Sequence, residues 1–130
     1  MYLRFVCGKR HPHADAELGI FFASMEVDWE EQPKWLKHEF DAAFTRFCYL
    51  RVPAVLKSAT RHRYAGQSLC WLKPEAEWLI NEVRYCAWLL TEAGMPIREI
   101  RSRHPGTILW QDEDQIVSLP GRVRVPRAFA

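Results

Sequence analysis

A chain of 130 residues, 48% of them hydrophobic and 13% aromatic, has the length of one domain and enough apolar side chain for one buried core, so a single domain over 1–130 is expected. The 18 Lys and Arg nearly balance the 16 Asp and Glu and leave a net charge of +2, which excludes a coat protein that is basic all over. Apolar runs are short and broken by charge, and the opening residues carry no signal core or cleavage site, so a soluble, cytoplasmic protein with no membrane span is expected.

In chain order, Tyr2 to Cys7 alternates Leu3, Phe5 and Cys7 against Tyr2, Arg4 and Val6, the period-two pattern of a strand. After the polar stretch Gly8 to His13, the spacing of Ala14, Leu18, Phe21, Phe22 and Met25 predicts an amphipathic helix. Pro33 suits the opening of a second helix, in which Leu36, Phe40, Ala43, Phe47 and Leu50 share one face up to the break at Pro53. Val52 to Gln67 has little apolar periodicity and no acid, and reads as a long basic loop.

Ser68 to Leu72 is a short apolar run followed by Lys73-Pro74-Glu75, and a third helix is predicted from Pro74 to Ala93, closed by Gly94. Ile97 to Arg101 alternates again, so strand, helix and strand form a βαβ crossover. Thr107 to Gln111 and Gln115 to Leu119, joined by Asp112-Glu113-Asp114, read as a β-hairpin, and Val123 and Val125 suggest an edge strand in the tail. These elements predict a two-layer α+β sandwich: a mixed sheet of four or five strands covered by three helices.

The pieces Tyr2-Leu3-Arg4-Phe5-Val6, Cys70-Trp71-Leu72-Lys73, Gly94-Met95-Pro96-Ile97, Arg101 to Gly106 and Trp110 to Val117 together resemble a set of small bacterial proteins without an assigned activity. The resemblance implies a bacterial cytoplasmic origin and carries over no chemistry.

The small net charge hides segregation. Arg4, Lys9 and Arg10 make the first 14 residues +3, and six acids make 15–31 −6; Arg46, Arg51, Lys57, Arg61 and Arg63 make 46–63 +5. Opposite blocks that partly neutralise one another on a solvated surface account for this, but Arg51, Lys57, Arg61, His62, Arg63 and Tyr64 also suit binding of nucleic acid or another anionic ligand, with the Tyr64 ring able to stack on a base.

On the third helix, Ala76, Leu79, Ile80, Val83, Cys86, Ala87 and Leu90 fall within roughly 120° and form a core face. The other side gathers Trp78, Tyr85, Trp88 and Leu89 among Glu77, Asn81 and Glu92. Either another part of the chain covers this aromatic stripe, or it binds a protein partner or a second copy of the chain.

Cys7, Cys48, Cys70 and Cys86 include no Cys-x-x-Cys pair and read as buried free thiols. Cys7, His11 and His13 match no zinc spacing, so neither a metal nor a cofactor is expected. No nucleophile elbow, phosphate-cradling loop or His-Glu-His arrangement occurs. The one constructible catalytic site sets His104 and Arg103 beside the loop Asp112 to Asp114 or beside Arg61 and His62; the simpler role for that loop is to shape the hairpin. A non-enzymatic interaction module is the leading expectation, with the anion binder and a small enzyme around His104 as alternatives.

Overall fold

The computed structural model of the chain describes residues 1–11, 16–46 and 68–120. Its elements are β1 (Tyr2–Arg10), β2 (Glu17–Gly19), α1 (Ile20–Met25), a 3-10 turn (Trp29–Glu31), α2 (Lys34–Thr45), β3 (Leu69–Leu72), α3 (Glu77–Glu92), β4 (Arg98–Ser102), β5 (Thr107–Gln111) and β6 (Gln115–Leu119).

β1 organises the sheet because both of its faces are buried: Leu3, Arg4, Phe5 and Val6 are each 5% exposed or less. A strand buried in this way must also satisfy its backbone N–H and C=O groups on both edges. Val6 pairs with Gly19 of β2 and with Arg98 of β4, while Leu3 pairs with Leu72 of β3 and with Arg101 of β4. β4 therefore takes one edge of β1, and β2 and β3 share the other, giving the order β2-β1-β3-β6-β5 with β4 beside β1.

Among the described residues the two-layer α+β architecture with three helices stands, and the sheet there has six strands rather than four or five, with each pairing antiparallel rather than mixed. β3 and β4 are both antiparallel to β1, so they run in the same direction with β1 between them. The expected βαβ unit is thus a split one, since the long apolar β1 takes the position that a strict neighbour rule would give to β4.

The sixth strand comes out of the expected first helix. Glu17–Gly19 pairs with β1 and leaves only Ile20–Met25 helical. The Arg4 guanidinium fixes this junction: its Nη2 donates to the Glu17 carbonyl at 2.7 Å, and a Cβ on Gly19 would approach the same nitrogen to 3.3 Å. Burial pulls the Arg4 guanidinium below its ordinary pKa, opposed by the nearby Cys70, Glu17 and Cys7.

One sheet face and the helices form the main core, in which Leu3, Phe5 and Leu72 meet Leu36, Phe40 and Ala43 of α2 and Leu79, Ile80, Val83, Cys86, Leu89 and Leu90 of α3. The other sheet face is apolar as well, with Leu69, Trp71 and Ile116 packed beside Tyr2, Ile100 and Ile108. Gly94 closes α3 at φ +87°, where its N–H donates to Thr91 O at 3.0 Å and that of Met95 donates to Leu90 O at 2.9 Å.

The hairpin follows its expected bounds. Asp112 Oδ1 accepts from the backbone N–H groups of Asp114 at 2.8 Å and Gln115 at 2.9 Å, so the acid builds the turn. Gly106, at φ +103°, packs so closely that a Cβ would lie 1.8 Å from Leu119 O. Gly106→Ala is expected to lower stability by at least about 1–3 kcal/mol through backbone strain alone, read from urea unfolding; an unchanged midpoint would contradict this packing.

The cysteines are not uniformly buried: Cys86 is buried, Cys7 is partly exposed and Cys70 is exposed, and none of the three forms a disulfide. Cys48 lies outside the described residues. Burial, reinforced by Glu82, pushes the Cys86 thiol from 9.0 up to about 12. The folded chain therefore keeps this proton after the unfolded chain has released it. Below pH 9 the group costs nothing; above it, stability is expected to fall by about 1.4 kcal/mol per pH unit until the folded thiol ionises. Alkaline unfolding of Cys86→Ala beside the parent checks this, and equal slopes would refute it.

A candidate interaction face on the paired helices

α2 starts directly after Pro33, and Leu36, Phe40 and Ala43 recur at helical spacing to face the core. α3 contributes a wider buried arc, from Leu79 and Ile80 to Leu89 and Leu90. Two side-chain bonds stitch the helices together: the Tyr85 hydroxyl donates to Glu39 Oε1 at 2.6 Å, and Arg46 Nε donates to Glu82 Oε2 at 2.6 Å. The earlier residue of α2 meets the later residue of α3, so the helices run antiparallel. Hydrogen bonding to Glu39 raises the Tyr85 pKa, and hydrogen bonding to Glu82 raises that of Arg46, so both remain protonated around neutrality.

The expected aromatic stripe divides in two. Trp78 is 57% and Trp88 51% exposed, and Tyr85 stands half-buried between them, stacked on Trp88 with ring centroids 6.1 Å apart. Leu89, expected on the same outer surface, is fully buried in the main core. The correction has a simple cause: α2 packs along that flank of α3, so the buried arc is broader than contact with the sheet alone would make it.

A third indole joins the outer face. Trp35, in the first turn of α2, is 55% exposed and lies off the buried positions Leu36, Phe40 and Ala43. Projecting α2 in the way used for α3 would have revealed it. Trp35 precedes Glu39 by one turn and Trp88 follows Tyr85 by nearly one, so in the antiparallel pair these two indoles share one end. Trp78 stands at the other, one turn before Glu82 on the flank turned toward α2.

Charges on this face are already satisfied within the chain around its middle: Glu82 by Arg46, and Arg84 by Glu99 at 2.8 Å. The surface between the indoles therefore presents Asn81 and the Tyr85 ring rather than unpaired charge.

Arg51, Lys57, Arg61, His62, Arg63 and Tyr64 lie outside the described residues, as do His13 and the tail from Gly121. A cavity of about 560 Å³ opens at one end of the sheet, where Arg103 and Glu113 join Tyr2, Lys73 and Glu75. His104 is exposed and does not line it, and Asp112 Oδ1 is turned to its own backbone, so His104 and the 112–114 loop do not form a site at this cavity, while the version with Arg61 and His62 lies outside the described residues. His11 is buried with its ring edge-on to Phe22 at 5.8 Å, and among the described residues no group of three or more His, Cys, Asp and Glu side chains could hold a metal.

No family model, curated protein or solved structure matches the chain. Among the described residues no helix is long and apolar enough to cross a membrane.

Proposed function

We propose that this chain is a non-enzymatic protein-interaction module whose contact surface is the outer face of α2 and α3. The observation that carries the reading is the exposure of Trp35, Trp78 and Trp88, each more than half open to solvent on two adjacent helices. A fully accessible indole offers about 250 Å² at most, so the three together leave on the order of 400 Å² of aromatic surface in water. Tryptophan is also among the residues enriched at interface hot spots. The exposed thiol of Cys70, held in no disulfide, suits a reducing cytoplasm.

Hydroxyl-radical footprinting tests this even while the partner is unidentified. Trp35, Trp78 and Trp88 are expected to oxidise readily in the dilute purified chain and to be protected in a native-host lysate. Equal oxidation in both settings would refute the proposal.

A further inference from the structure

Resting on that reading, we infer that the partner is a protein segment rich in Arg and Lys, docked along the outer face of α3 and the start of α2. The free charge on this face carries the inference. Glu77 adjoins Trp78 and Glu92 follows Trp88 by one helical turn, and both acids are exposed. Glu30 and Glu31, in the 3-10 turn just before α2, are exposed as well and precede Trp35 by five and four residues. Among the described residues none of these four carboxylates has an ion-pair or hydrogen-bond partner, whereas Glu39, Asp41 and Glu82 on the same two helices are taken by Tyr85, Lys37 and Arg46. Lys34 is the cation left unpaired on these helices, joined by His38 when that ring is protonated. Lys73 and Glu75 line the cavity at the end of the sheet instead. Four free acids against one lysine leave a net −3 around the three indoles.

The placement of Glu92 sharpens the point. Glu77 opens α3, where a helix N-terminus favours an acid, but Glu92 stands in the last turn, where the free carbonyls disfavour one and no basic residue offsets them. The indoles complete the site, because the negative face of an aromatic ring draws a guanidinium or ammonium group, and tryptophan does so most strongly. Acid and indole stand together at both ends of the face: Glu77 with Trp78 at one, and Glu92, Glu30 and Glu31 with Trp88 and Trp35 at the other. Glu77 and Glu92 are the first and last residues of α3, about 22 Å apart along its axis, with Asn81 and the stacked Tyr85 and Trp88 rings between them. The complement to this surface is a segment with Arg or Lys at both ends of an apolar stretch. The same charge disfavours nucleic acid, whose phosphates would meet the acids, and a second copy docked face to face, which would set acid against acid.

Panning a displayed library of random peptides, each about 16 residues long, against the full chain tests this. Enriched peptides are expected to carry an excess of Arg and Lys over Asp and Glu. For a synthetic copy of the most enriched peptide, Trp78→Ala is expected to weaken binding about tenfold or more. Glu77→Gln combined with Glu92→Gln is expected to weaken it about two- to thirty-fold, an effect that shrinks in about 1 M salt. Peptides without a basic excess, or binding that the paired Glu→Gln changes leave untouched, would overturn the cationic partner; if such binding still needs Trp78 and Trp88, the broader interaction reading stays in place. A selection that enriches no peptide would overturn it as well, and light scattering that then found a dimer would make a second copy the occupant.

Discussion

Trp78→Ala combined with Trp88→Ala is expected to leave the fold intact and to abolish association. Both rings stand more than half in solvent and belong to neither buried cluster, so the double variant removes little that folding has gained. Exposed substitutions of this kind usually shift stability by no more than about 0.5 kcal/mol each. Association is another matter, because an indole that is half exposed in the free chain is fully desolvated on docking. Truncating a hot-spot Trp costs about 2 kcal/mol or more, so the pair should weaken association at least about thirty-fold. Thermal unfolding with peptide titration separates the two effects. A collapse in melting temperature would return both rings to the core, and unchanged binding would remove them from the interface.

One residue further along α3 the expectation reverses. Leu89→Ala is expected to destabilise the chain by about 2–5 kcal/mol, because Leu89 is fully buried and its truncation leaves a void that α2 and the sheet cannot fill without moving. For a domain with only about 5–15 kcal/mol of total stability, that loss is large. Urea unfolding of Leu89→Ala beside Trp88→Ala makes the comparison direct, since two adjacent residues should differ by several kcal/mol. Similar midpoints for the two would contradict the packing of α2 against α3.

What was legible in the sequence follows from how local each signal is. The 107–119 hairpin could be read because its turn is built by Asp112 bonding to the N–H groups of Asp114 and Gln115, two and three residues away. The end of α3 could be read because Gly94 is the residue that tolerates the left-handed closure. The loss of Glu17–Gly19 to the sheet could not, since that depends on β1 offering an edge and on Arg4 folding under Gly19 to reach the Glu17 carbonyl. Likewise β1 enters between β3 and β4 because its two buried faces demand paired edges, a tertiary requirement that no stretch of β3, α3 or β4 announces.

The candidate face shows the same division. Periodicity separates Trp78 and Trp88 from the core side of α3, since two residues at helical spacing reveal which face they share. Leu89 escapes such reading because its burial depends on α2, whereas the same projection separates Trp35 from Leu36, Phe40 and Ala43, and only its place beside α3 needs the fold. Tyr85 falls between these cases: its ring belongs to the stripe, but its hydroxyl ties α3 to Glu39 of α2.

Side-chain oxidation of the purified chain at high dilution is the most direct measurement, with Trp71 as an internal reference because it is only 7% exposed. Trp35, Trp78 and Trp88 are predicted to react many times faster than Trp71 in the isolated monomer. Rates for these three as slow as that of Trp71 would mean that their own polypeptide covers them, and would contradict an interface on this face.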